Sequence, residues 1–353
     1  MSGAPEVVVV GAGIAGLCAA GELVRAGRRV LVVEKSRGIG GRMATRRIGG
    51  AICDHGAQFF TVRGRAFGGI VADAHAAGAV ETWCTGFGRS GSLGGDVEAA
   101  ADGHARWRGA RGMTDLPKWL LERLAADGHG EPCLVTTNAQ VTSIATRADR
   151  VVVAIESDGR SATIEAAAAV VTAPVPQALD LFAAGAATID PEARALLAGV
   201  AYDPCFALML VLDRPSRVPA PGAVQFVTEG GGPLAWLADN MQKGISPVPA
   251  LTVHASGGFS RAHFDTPPDE VAAMLVEAVR PWLDGDPATT IVERKLHRWK
   301  FALPTTILDS PLVAASLSPP LVCCGDAFAG PRVEGAASSG LAAGRWLAAR
   351  LAT

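Results

Sequence analysis

The chain lacks several features that would assign it to whole classes of protein. Its 32 basic and 34 acidic residues nearly cancel and no long run of one sign occurs, so nothing indicates binding to nucleic acid or to an anionic membrane. No basic segment precedes an apolar signal core, and no apolar run is as long as a bilayer span requires. We therefore expect neither a secretory signal nor a membrane anchor.

Cysteine occurs, but not in the patterns of disulfide scaffolds or zinc sites. The seven cysteines are an odd number and include no CxxC pair. Buried structural thiols are expected for the four that lie in apolar surroundings. These are Cys18, Cys205, Cys323 and Cys324. No set of His, Cys, Asp and Glu has metal-ligand spacing, so no metal site is predicted. A reducing, cytoplasmic location fits this composition.

The N-terminal segment carries a dinucleotide-binding pattern. Four consecutive valines predict a buried strand, which runs into the glycine-rich turn GAGIAG at residues 11–16 and then into an apolar helix. Gly11 permits the tight turn, Gly13 lets a pyrophosphate approach the backbone, and Gly16 lets the helix pack closely on the strand. The helix N-terminus offers free N–H groups to the phosphates. Glu34, at the end of the next strand, is placed to bind an adenine ribose.

A second glycine pair indicates which dinucleotide binds. Gly40 and Gly41 come shortly after the ribose acid and are followed by Arg42. The pair allows another close approach of backbone to ligand, and Arg42 offers a fork of donors to a pyrophosphate oxygen. This extension resembles that of FAD-binding proteins of the amine-oxidase and glutathione-reductase type, so FAD is the predicted cofactor. The alternative is a flexible, solvated basic loop.

The C-terminal segment is predicted to complete the cofactor site. A short apolar strand at 321–324 is followed by Gly325 and Asp326, and then by an apolar stretch from Gly340 to Leu351. In FAD proteins of this type, such an aspartate binds the flavin ribitol. The following helix points its N-terminus at the flavin ring, where its dipole favours the negative charge of the reduced form. The alternative for Asp326 is an ordinary turn residue. Only one GxGxxG fingerprint occurs, which argues against a separate NAD(P)H-binding domain.

Nearly the whole chain resembles the renalase family, which comprises small FAD proteins within the flavin amine-oxidase group. The resemblance rests on GGRMATRR at 40–47, DHGAQFFT at 54–61, the segment 112–118, HRWKFA at 297–302 and the C-terminal Gly-Asp segment. It implies a non-covalent FAD that takes hydride from isomeric dihydronicotinamides and passes electrons to O2, giving NAD(P)+ and hydrogen peroxide. A flavin amine oxidase or desaturase acting on a small amine or another reduced carbon compound is the alternative. A binding protein that keeps the FAD fold without catalysis is a third hypothesis.

Three features bear on this resemblance. Position 300 is Lys where the family is expected to have Arg, which leaves the charge pattern of the active site open. No cysteine near the C-terminal helix matches the flavin-linking cysteine of monoamine oxidases, which supports a non-covalent flavin. The single tyrosine, Tyr202, cannot form a two-tyrosine amine cage, which disfavours the monoamine oxidase mode, although tryptophan and phenylalanine can substitute.

The cofactor-binding prediction covers both glycine-rich turns, the ribose acid, the flavin-face segment and parts of the middle and the C-terminus. These residues are Gly11, Ala12, Gly13, Ile14, Ala15, Gly16, Glu34, Lys35, Gly41, Arg42, Met43, Gly56, Ala57, Gln58, Phe59, Val141, Ala173, Gly325, Asp326, Val333, Glu334 and Ala336.

Flavin carries the redox step, so the catalytic candidates are residues expected at the flavin face. They are Gln58, Trp299 and Lys300; for Lys300 the alternative is a solvated lysine on an alternating strand. Aromatic walls are expected for the substrate pocket, with ordinary core packing as the equal alternative. The candidates are Phe60, Trp107, Trp236 and Trp299.

Two further sets of side chains are candidates for supporting roles. Histidines that can assist proton transfer are His55, His254 and His297, with a structural role as the alternative. Arginines that can meet a substrate phosphate, most of them expected to be surface charges, are Arg63, Arg65, Arg106, Arg108 and Arg111.

We expect an α/β fold, with a Rossmann-like FAD-binding domain of the glutathione-reductase/amine-oxidase type and a mixed-sheet α+β substrate domain. The cofactor motifs lie at opposite ends of the chain, so the cofactor domain must be discontinuous. We assign residues 1–65, 108–180 and 296–353 to the cofactor domain, and 66–107 and 181–295 to the substrate domain. The expected partners are a small-molecule substrate, either a dihydronicotinamide nucleotide or an amine, and O2. No sequence feature indicates the oligomeric state.

Overall fold

The computed structural model describes residues 4–94, 96–127, 133–227 and 232–352. The strands are β1 (Val7–Val10), β2 (Val30–Val33), β3 (Thr45–Ile48), β4 (Ala51–Asp54), β5 (Val80–Ser90), β6 (Glu98–Gly109), β7 (Leu134–Thr136), β8 (Ala139–Arg147), β9 (Arg150–Ser157), β10 (Arg160–Ala166), β11 (Ala168–Val171), β12 (Tyr202–Leu212), β13 (Ala223–Phe226), β14 (Leu234–Asp239), β15 (Ala250–Ala255), β16 (Ile291–Pro304), β17 (Val313–Leu317) and β18 (Pro320–Cys323). The α-helices are α1 (Ile14–Arg25), α2 (Arg65–Ala76), α3 (Asp115–Asp127), α4 (Val175–Ala184), α5 (Pro191–Ala198), α6 (Gly257–Ala262), α7 (Pro268–Val279), α8 (Pro287–Thr290) and α9 (Val333–Arg350). No helix within these ranges is long and apolar enough to cross a bilayer.

A six-stranded sheet in the order β17-β18-β11-β1-β2-β7 carries the glycine-rich turn. Strand β1 runs parallel to both β2 and β11, and all four of its valines are buried. A central parallel strand is covered on both faces, which explains the continuous apolar run. The turn that follows β1 therefore lies at the carboxyl edge of the sheet, between β2 and β11, where ligands of open α/β sheets bind.

The two ends of the chain meet where α1 packs on α9. A Cβ added at Gly340 would lie 2.1 Å from the Ala15 carbonyl oxygen, and one added at Gly344 would lie 2.6 Å from that of Ala19. The two glycines thus let the helix backbones approach more closely than side chains would permit. This contact places the segment before α9 beside the turn that opens α1.

A seven-stranded sheet in the order β16-β12-β15-β14-β13-β5-β6 forms the second layer. Alternate residues of β12 point to opposite faces, as expected for a strand. Leu208 and Leu210 enter a core that includes α7, whereas Met209 and Val211 pack against the β3–β4 hairpin. One face of this sheet therefore lies against the hairpin that leads to residues 55–59.

Three local sequence patterns can be compared with the structure. Asp190-Pro191-Glu192 and Thr266-Pro267-Pro268-Asp269 each predict a capped helix start with proline at its first position, and the run from Val135 to Ile144 predicts a strand. Asp190 caps α5 by accepting from the backbone N–H groups of Glu192 and Ala193, both at 2.9 Å. The single strand predicted over 135–144 is instead β7 and β8, separated by Asn138 at φ 52°. At the second of these starts Pro268 is the first residue of α7, as predicted, but the predicted side-chain cap is wrong, because Pro267 is the N-cap and makes no side-chain cap bond.

The glycine-rich stretches 86–95 and 229–232 predict loops. The glycine-rich stretch predicted as a loop over 86–95 belongs up to Ser90 to β5, which continues because it pairs with β6 and β13. The loop predicted at 229–232 lies, except for its last residue, outside the described residues. Residues 296–304, assigned above to the cofactor domain, belong to β16 of the seven-stranded sheet.

Candidate cofactor and substrate site

The first glycine-rich turn is closed by contacts that only glycine allows. Gly11 has φ 104°, and a Cβ there would lie 2.5 Å from Thr172 Oγ1. A Cβ at Gly16 would lie 2.0 Å from the Gly11 carbonyl oxygen. By contrast, a Cβ at Gly13 would meet nothing within 4 Å. The turn is tight at its ends and open at its middle, directly before the N-terminus of α1, and this open space suits a pyrophosphate.

Glu34 is buried at the end of β2 with its carboxylate fixed by the backbone. Its Oε2 accepts from the Ala12 N–H at 2.9 Å, and its Oε1 accepts from the Ser36 N–H at 2.8 Å. A carboxylate has about four acceptor positions, so it keeps capacity for ribose hydroxyls. Lys35, next to it, is exposed.

The second glycine pair lies on the first turn. Gly40 donates to the Ala12 carbonyl oxygen at 2.8 Å, and a Cβ at Gly41 would lie 3.4 Å from the Gly13 Cα. Both glycines have positive φ, at 104° and 54°. Met43, which follows, is buried in the core below. The loop thus encloses the space next to Gly13 and carries Arg42 to the C-terminal segment.

Arg42 makes a bidentate ion pair with Asp326. The two N–O distances are 2.5 and 2.7 Å, and the guanidinium also donates to the carbonyl oxygens of Phe301 and Ala302 at 3.3 and 3.4 Å. Tyr202 lies against this pair, with the Arg42 guanidinium 5.9 Å from its ring centre. Burial and the Asp326 carboxylate, to which it hydrogen-bonds, raise the pKa of Tyr202. The fork predicted to bind a pyrophosphate oxygen is therefore directed at Asp326, and sequence reasoning gave Tyr202 no place here.

The segment before α9 joins the same site. Gly325 has φ 145°, and its N–H donates to Ser339 Oγ at 2.9 Å. The Glu334 carboxylate accepts from the N–H groups of Arg63 and Gly64, at 2.9 and 2.6 Å, so its side chain binds the backbone directly before α2. Val333 and Ala336 are buried in the first turn of α9.

These residues fit a bound FAD. The open space beside Gly13 lies at the start of α1 and next to Ala12, to which the buried Glu34 carboxylate is hydrogen-bonded. Gly340 and Gly344 of α9 lie against Ala15 and Ala19 of α1, so the two helices run in the same direction. Of the remaining predicted contacts, Ile14 and Ala15 are buried in the first turn of α1, Val141 is on β8, and Ala173 follows β11.

Residues 55–59 contact a row of side chains that crosses the seven-stranded sheet. The register aligns His297, Ala207, His254 and Trp236 on neighbouring strands. Three of the residues 55–59 each contact one member of this row, and each member is on a different strand. The His55 and His297 ring centres are 5.0 Å apart, Gln58 Nε2 lies 3.4 Å from His254 Nε2, and the Phe59 and Trp236 ring centres are 5.5 Å apart.

The histidines of this contact are held neutral. Burial lowers the pKa of His55 to about 3 and that of His254 to about 4, and burial also lowers the pKa of His297. Gln58 is fixed by donating from Nε2 to the carbonyl oxygens of Asp54 and Gly56, at 2.6 and 3.1 Å. The predicted flavin face is thus backed by neutral polar groups.

Trp299 and Lys300 are neighbours on β16, but their side chains have different surroundings. Trp299 stacks on His55, with ring centres 5.5 Å apart, and its Nε1 donates to the His55 carbonyl oxygen at 2.8 Å. Lys300 is exposed, with its Nζ 5.3 Å from the Phe301 ring centre. Alternation along a strand explains why neighbouring candidates have such different surroundings.

An aromatic cluster stands next to this contact. It consists of Phe59, Trp83, Phe87 and Trp236, with ring centres 4.7 to 6.5 Å apart. Two cations lie over its rings. The Arg106 guanidinium is 5.8 Å from the Phe59 centre and 5.7 Å from that of Phe87, and Lys243 Nζ is 5.0 Å from that of Trp83.

Lys243 forms a fully buried ion pair with Asp54. Both side chains are 0% exposed, and Nζ lies 2.6 Å from Oδ2. The other carboxylate oxygen accepts from Thr45 Oγ1 at 2.5 Å and from the Met113 N–H at 2.8 Å. Burial lowers the pKa of Lys243, which the Asp54 carboxylate opposes. No sequence signal identified this lysine, because its partner is 189 positions away.

The predicted pocket aromatics divide between two places. Trp236 belongs to the aromatic cluster and Trp299 to the contact with His55. Phe60 packs on Phe67, with ring centres 5.7 Å apart, and Trp107 packs on His75, at 5.2 Å. These last two therefore lie in or beside the core of the cofactor-binding half.

Comparison with known proteins gives both family and fold. A sequence profile described as "Flavin containing amine oxidoreductase" matches residues 88–345, and one described as "NAD(P)-binding Rossmann-like domain" matches residues 9–73. A 54-residue stretch is 54% identical to AofH of Mycobacterium tuberculosis H37Rv, whose name assigns it to the flavin-containing monoamine oxidases. That stretch spans 15% of this chain and only 12% of AofH.

Solved structures agree over the full length. Cyclohexylamine oxidase from Brevibacterium oxydans IH-35A superposes with a TM-score of 0.71 at 14% identity, covering 99% of this chain and 100% of that one. A protein of Exiguobacterium sp. 255-15, whose name assigns it to the protoporphyrinogen oxidases, gives 0.71 at 13% identity and covers 100% of both chains. At such identities the likeness concerns the fold, and the predicted α/β fold class is confirmed.

Proposed function

As this chain belongs to the flavin-containing amine oxidoreductase family, whose cofactor is FAD, we propose that it is a renalase-like oxidase of isomeric dihydronicotinamide nucleotides. Bound FAD supplies the hydride acceptor and returns the electrons to O2, so that one dihydronicotinamide, one O2 and one proton give one NAD(P)+ and one hydrogen peroxide. The proposal divides the chain into a discontinuous FAD-binding domain and a substrate domain built on the seven-stranded sheet.

The cofactor assignment in this proposal follows the contacts described above. The pyrophosphate lies in the space beside Gly13, and Glu34 binds the adenine ribose. Asp326, oriented by Arg42 and Tyr202, binds the ribitol. The N-terminal end of α9 faces the flavin ring, where its dipole favours negative charge. The flavin is non-covalent.

The loop of residues 55–59 (the flavin-face loop) suits a hydride donor whose oxidation requires no loss of a proton. Hydride leaving a dihydropyridine ring gives a pyridinium directly, whereas oxidation of an ammonium substrate also requires loss of a proton from nitrogen. The imidazoles of His55 and His254 have lowered pKa values and are weak bases. The carboxylate closest along the chain, Asp54, is held by Lys243 at 2.6 Å. These groups hold the loop in place and offer no ready proton acceptor.

One observation favours a dihydronicotinamide nucleotide over an amine as the substrate. Three of the four rings of the aromatic cluster already carry a protein cation: Arg106 lies over Phe59 and Phe87, and Lys243 lies over Trp83. A substrate ammonium that used these rings for cation–π contact would have to displace a cation of the same sign. An anionic group of a nucleotide can instead pair with Arg106 at the same place. The cluster therefore favours a phosphate-bearing substrate.

The test is oxygen consumption by the FAD-loaded protein. With NAD+ reduced by borohydride to a mixture of isomers, we expect consumption of O2 with one hydrogen peroxide and one NAD+ formed per substrate oxidised. With cyclohexylamine, putrescine and benzylamine we expect no consumption above the rate without substrate. Turnover of an amine together with inertness toward every dihydronicotinamide isomer would overturn the proposal.

Oxidation of a small amine is the second candidate. It is favoured by the likeness to cyclohexylamine oxidase and by the AofH segment. In that case the aromatic cluster would serve as the amine cage after movement of Arg106, and the same amine panel detects it.

A further inference from the structure

Arg106 is the one of the five candidate arginines whose guanidinium lies over the aromatic cluster. Arg108 is turned inward, where it donates to the carbonyl oxygens of Gly109 and Ala110 at 3.0 and 2.7 Å. Arg111 is 79% exposed and pairs with Asp115. The other two, Arg63 and Arg65, are exposed at the start of α2.

Arg106 retains free donors at the rim of the cluster. Its side chain is 13% exposed, so part of it reaches solvent. It donates to the His104 carbonyl oxygen at 2.8 Å and to Asp102 Oδ2 at 2.6 Å. An arginine has five N–H donors, and these two bonds leave the others available to an oxyanion. The fork geometry of a guanidinium matches phosphate oxygens in pairs.

Asp102 holds Arg106 by a contact that an incoming anion can replace. The Asp102 side chain is 52% exposed, and the two residues lie on β6 four positions apart. An ion pair with one partner so exposed contributes little to stability, because water competes for both charges. The pyrophosphate of a dinucleotide carries two negative charges and offers Arg106 more acceptor oxygens than this carboxylate does.

We infer that Arg106 determines specificity by binding a phosphate group of the nucleotide substrate, and that Asp102 occupies Arg106 until the substrate arrives. This inference rests on the proposed function, which concerns the nicotinamide ring that reacts. It adds a binding site for the phosphates of the same substrate, which do not react. Arg106 touches Phe59, which follows Gln58 directly, so a nucleotide with its phosphates at Arg106 places its nicotinamide toward the flavin-face loop.

The test compares a substrate with phosphates and one without. The FAD-loaded protein is assayed with borohydride-reduced NAD+ and with borohydride-reduced 1-methylnicotinamide, and kcat/KM is measured for each. We expect Arg106→Gln to lower kcat/KM about tenfold more for the dinucleotide than for the methyl compound, since a charge-assisted hydrogen bond to phosphate is lost only for the dinucleotide. We expect Asp102→Asn to raise kcat/KM for the dinucleotide by about twofold to threefold.

A second measurement needs no turnover. Titration of the oxidised flavoprotein with NAD+, followed by the flavin absorption spectrum, gives a dissociation constant that should rise about tenfold in Arg106→Gln and fall in Asp102→Asn. A purely structural role of the pair predicts that both variants affect the two substrates alike and change NAD+ binding in the same direction, and this result would overturn the inference while the proposed function stands. A wild-type protein that neither oxidises a dihydronicotinamide nor binds NAD+ would reject both.

Discussion

The half of this protein built on the six-stranded sheet and the half built on the seven-stranded sheet form their parts of the candidate site in different ways. Around the first sheet, the site is a backbone shape: Gly11, Gly13 and Gly16 set a turn that is closed at both ends and open in its middle. Around the second sheet, the site is a set of side chains from distant segments. The buried pair Asp54 and Lys243 alone joins residues 189 positions apart.

Because of this difference, we expect substitutions in the two halves to have different effects. A backbone site loses its ligand when a Cβ is added, even where the fold tolerates that atom. A side-chain site loses folding stability when one partner of a buried contact is removed. The following predictions test this contrast, from the largest expected effect to the smallest.

Removing the buried ammonium should produce the largest effect. In Lys243→Met, Asp54 keeps a buried charge with no cation, so we expect the free energy of unfolding to fall by about 3–5 kcal/mol. Adding Asp54→Asn to this variant removes the stranded charge and should restore most of the loss. Urea denaturation of both variants gives the comparison. An equal loss in the single and the double variant would contradict the account of this pair.

Adding one methyl group at the open glycine should weaken cofactor binding and leave folding intact. The Cβ of Gly13→Ala meets nothing within 4 Å in the protein, but it enters the space assigned to the pyrophosphate. We expect the dissociation constant for FAD to rise about a hundredfold, equivalent to about 2.7 kcal/mol, with the apoprotein melting temperature unchanged. Gly38→Ala, at an exposed glycine whose Cβ is equally free, is the control. Normal FAD retention by Gly13→Ala would place the pyrophosphate elsewhere.

The same contrast explains what the sequence could predict. The strand, turn, helix and acid of residues 7–34 are adjacent in the chain, so their spacing predicted the structure directly, and β1, α1 and β2 lie where expected. The C-terminal contribution was also predicted, because a Gly-Asp pair follows a recognisable strand. The flavin amine-oxidase superfamily and the α/β fold class followed from these motifs, and the renalase-like subfamily stays a proposal.

The substrate side was predicted less completely for a physical reason. Whether Trp236 meets Phe59, or Trp299 meets His55, depends on strand register and on which sheet faces which loop, and no local pattern encodes either. Trp83 and Phe87 were missed because the glycine-rich end of β5 indicates a loop. Lys243 was missed because charged residues are rarely fully buried unless they are paired, and its partner is distant in sequence.

Acid should weaken the contact between the halves through its neutral histidines. His254 has a folded-state pKa of about 4, below the ordinary value of 6.5, so the unfolded chain binds more protons between these pH values and stability falls as pH falls through this window. From pH 7 to pH 5 the contribution of His254 should amount to about 2 kcal/mol. Urea denaturation of wild type and His254→Asn at both pH values isolates it. An identical pH dependence in the two proteins would show that His254 is not held neutral.

The smallest expected effect concerns Arg332, a non-glycine residue whose backbone conformation favours glycine. Arg332, the N-cap of α9, has φ 112° and ψ 173°, a region that side chains disfavour. Arg332→Gly should therefore raise the free energy of unfolding of the apoprotein by about 1–2 kcal/mol. Arg332→Ala removes the same side chain but retains the strain, so it should give no gain. Equal stability of the two variants would mean that this backbone is unstrained.

The most direct test of the account is anaerobic reduction of the bound flavin. The purified yellow protein is mixed without oxygen with borohydride-reduced NAD+, with ordinary NADH and with cyclohexylamine, and bleaching of the flavin absorption is followed in each case. The account predicts rapid bleaching by the isomer mixture and a persistent oxidised spectrum with the other two. Bleaching by the amine, with no reaction to the isomer mixture, would contradict it.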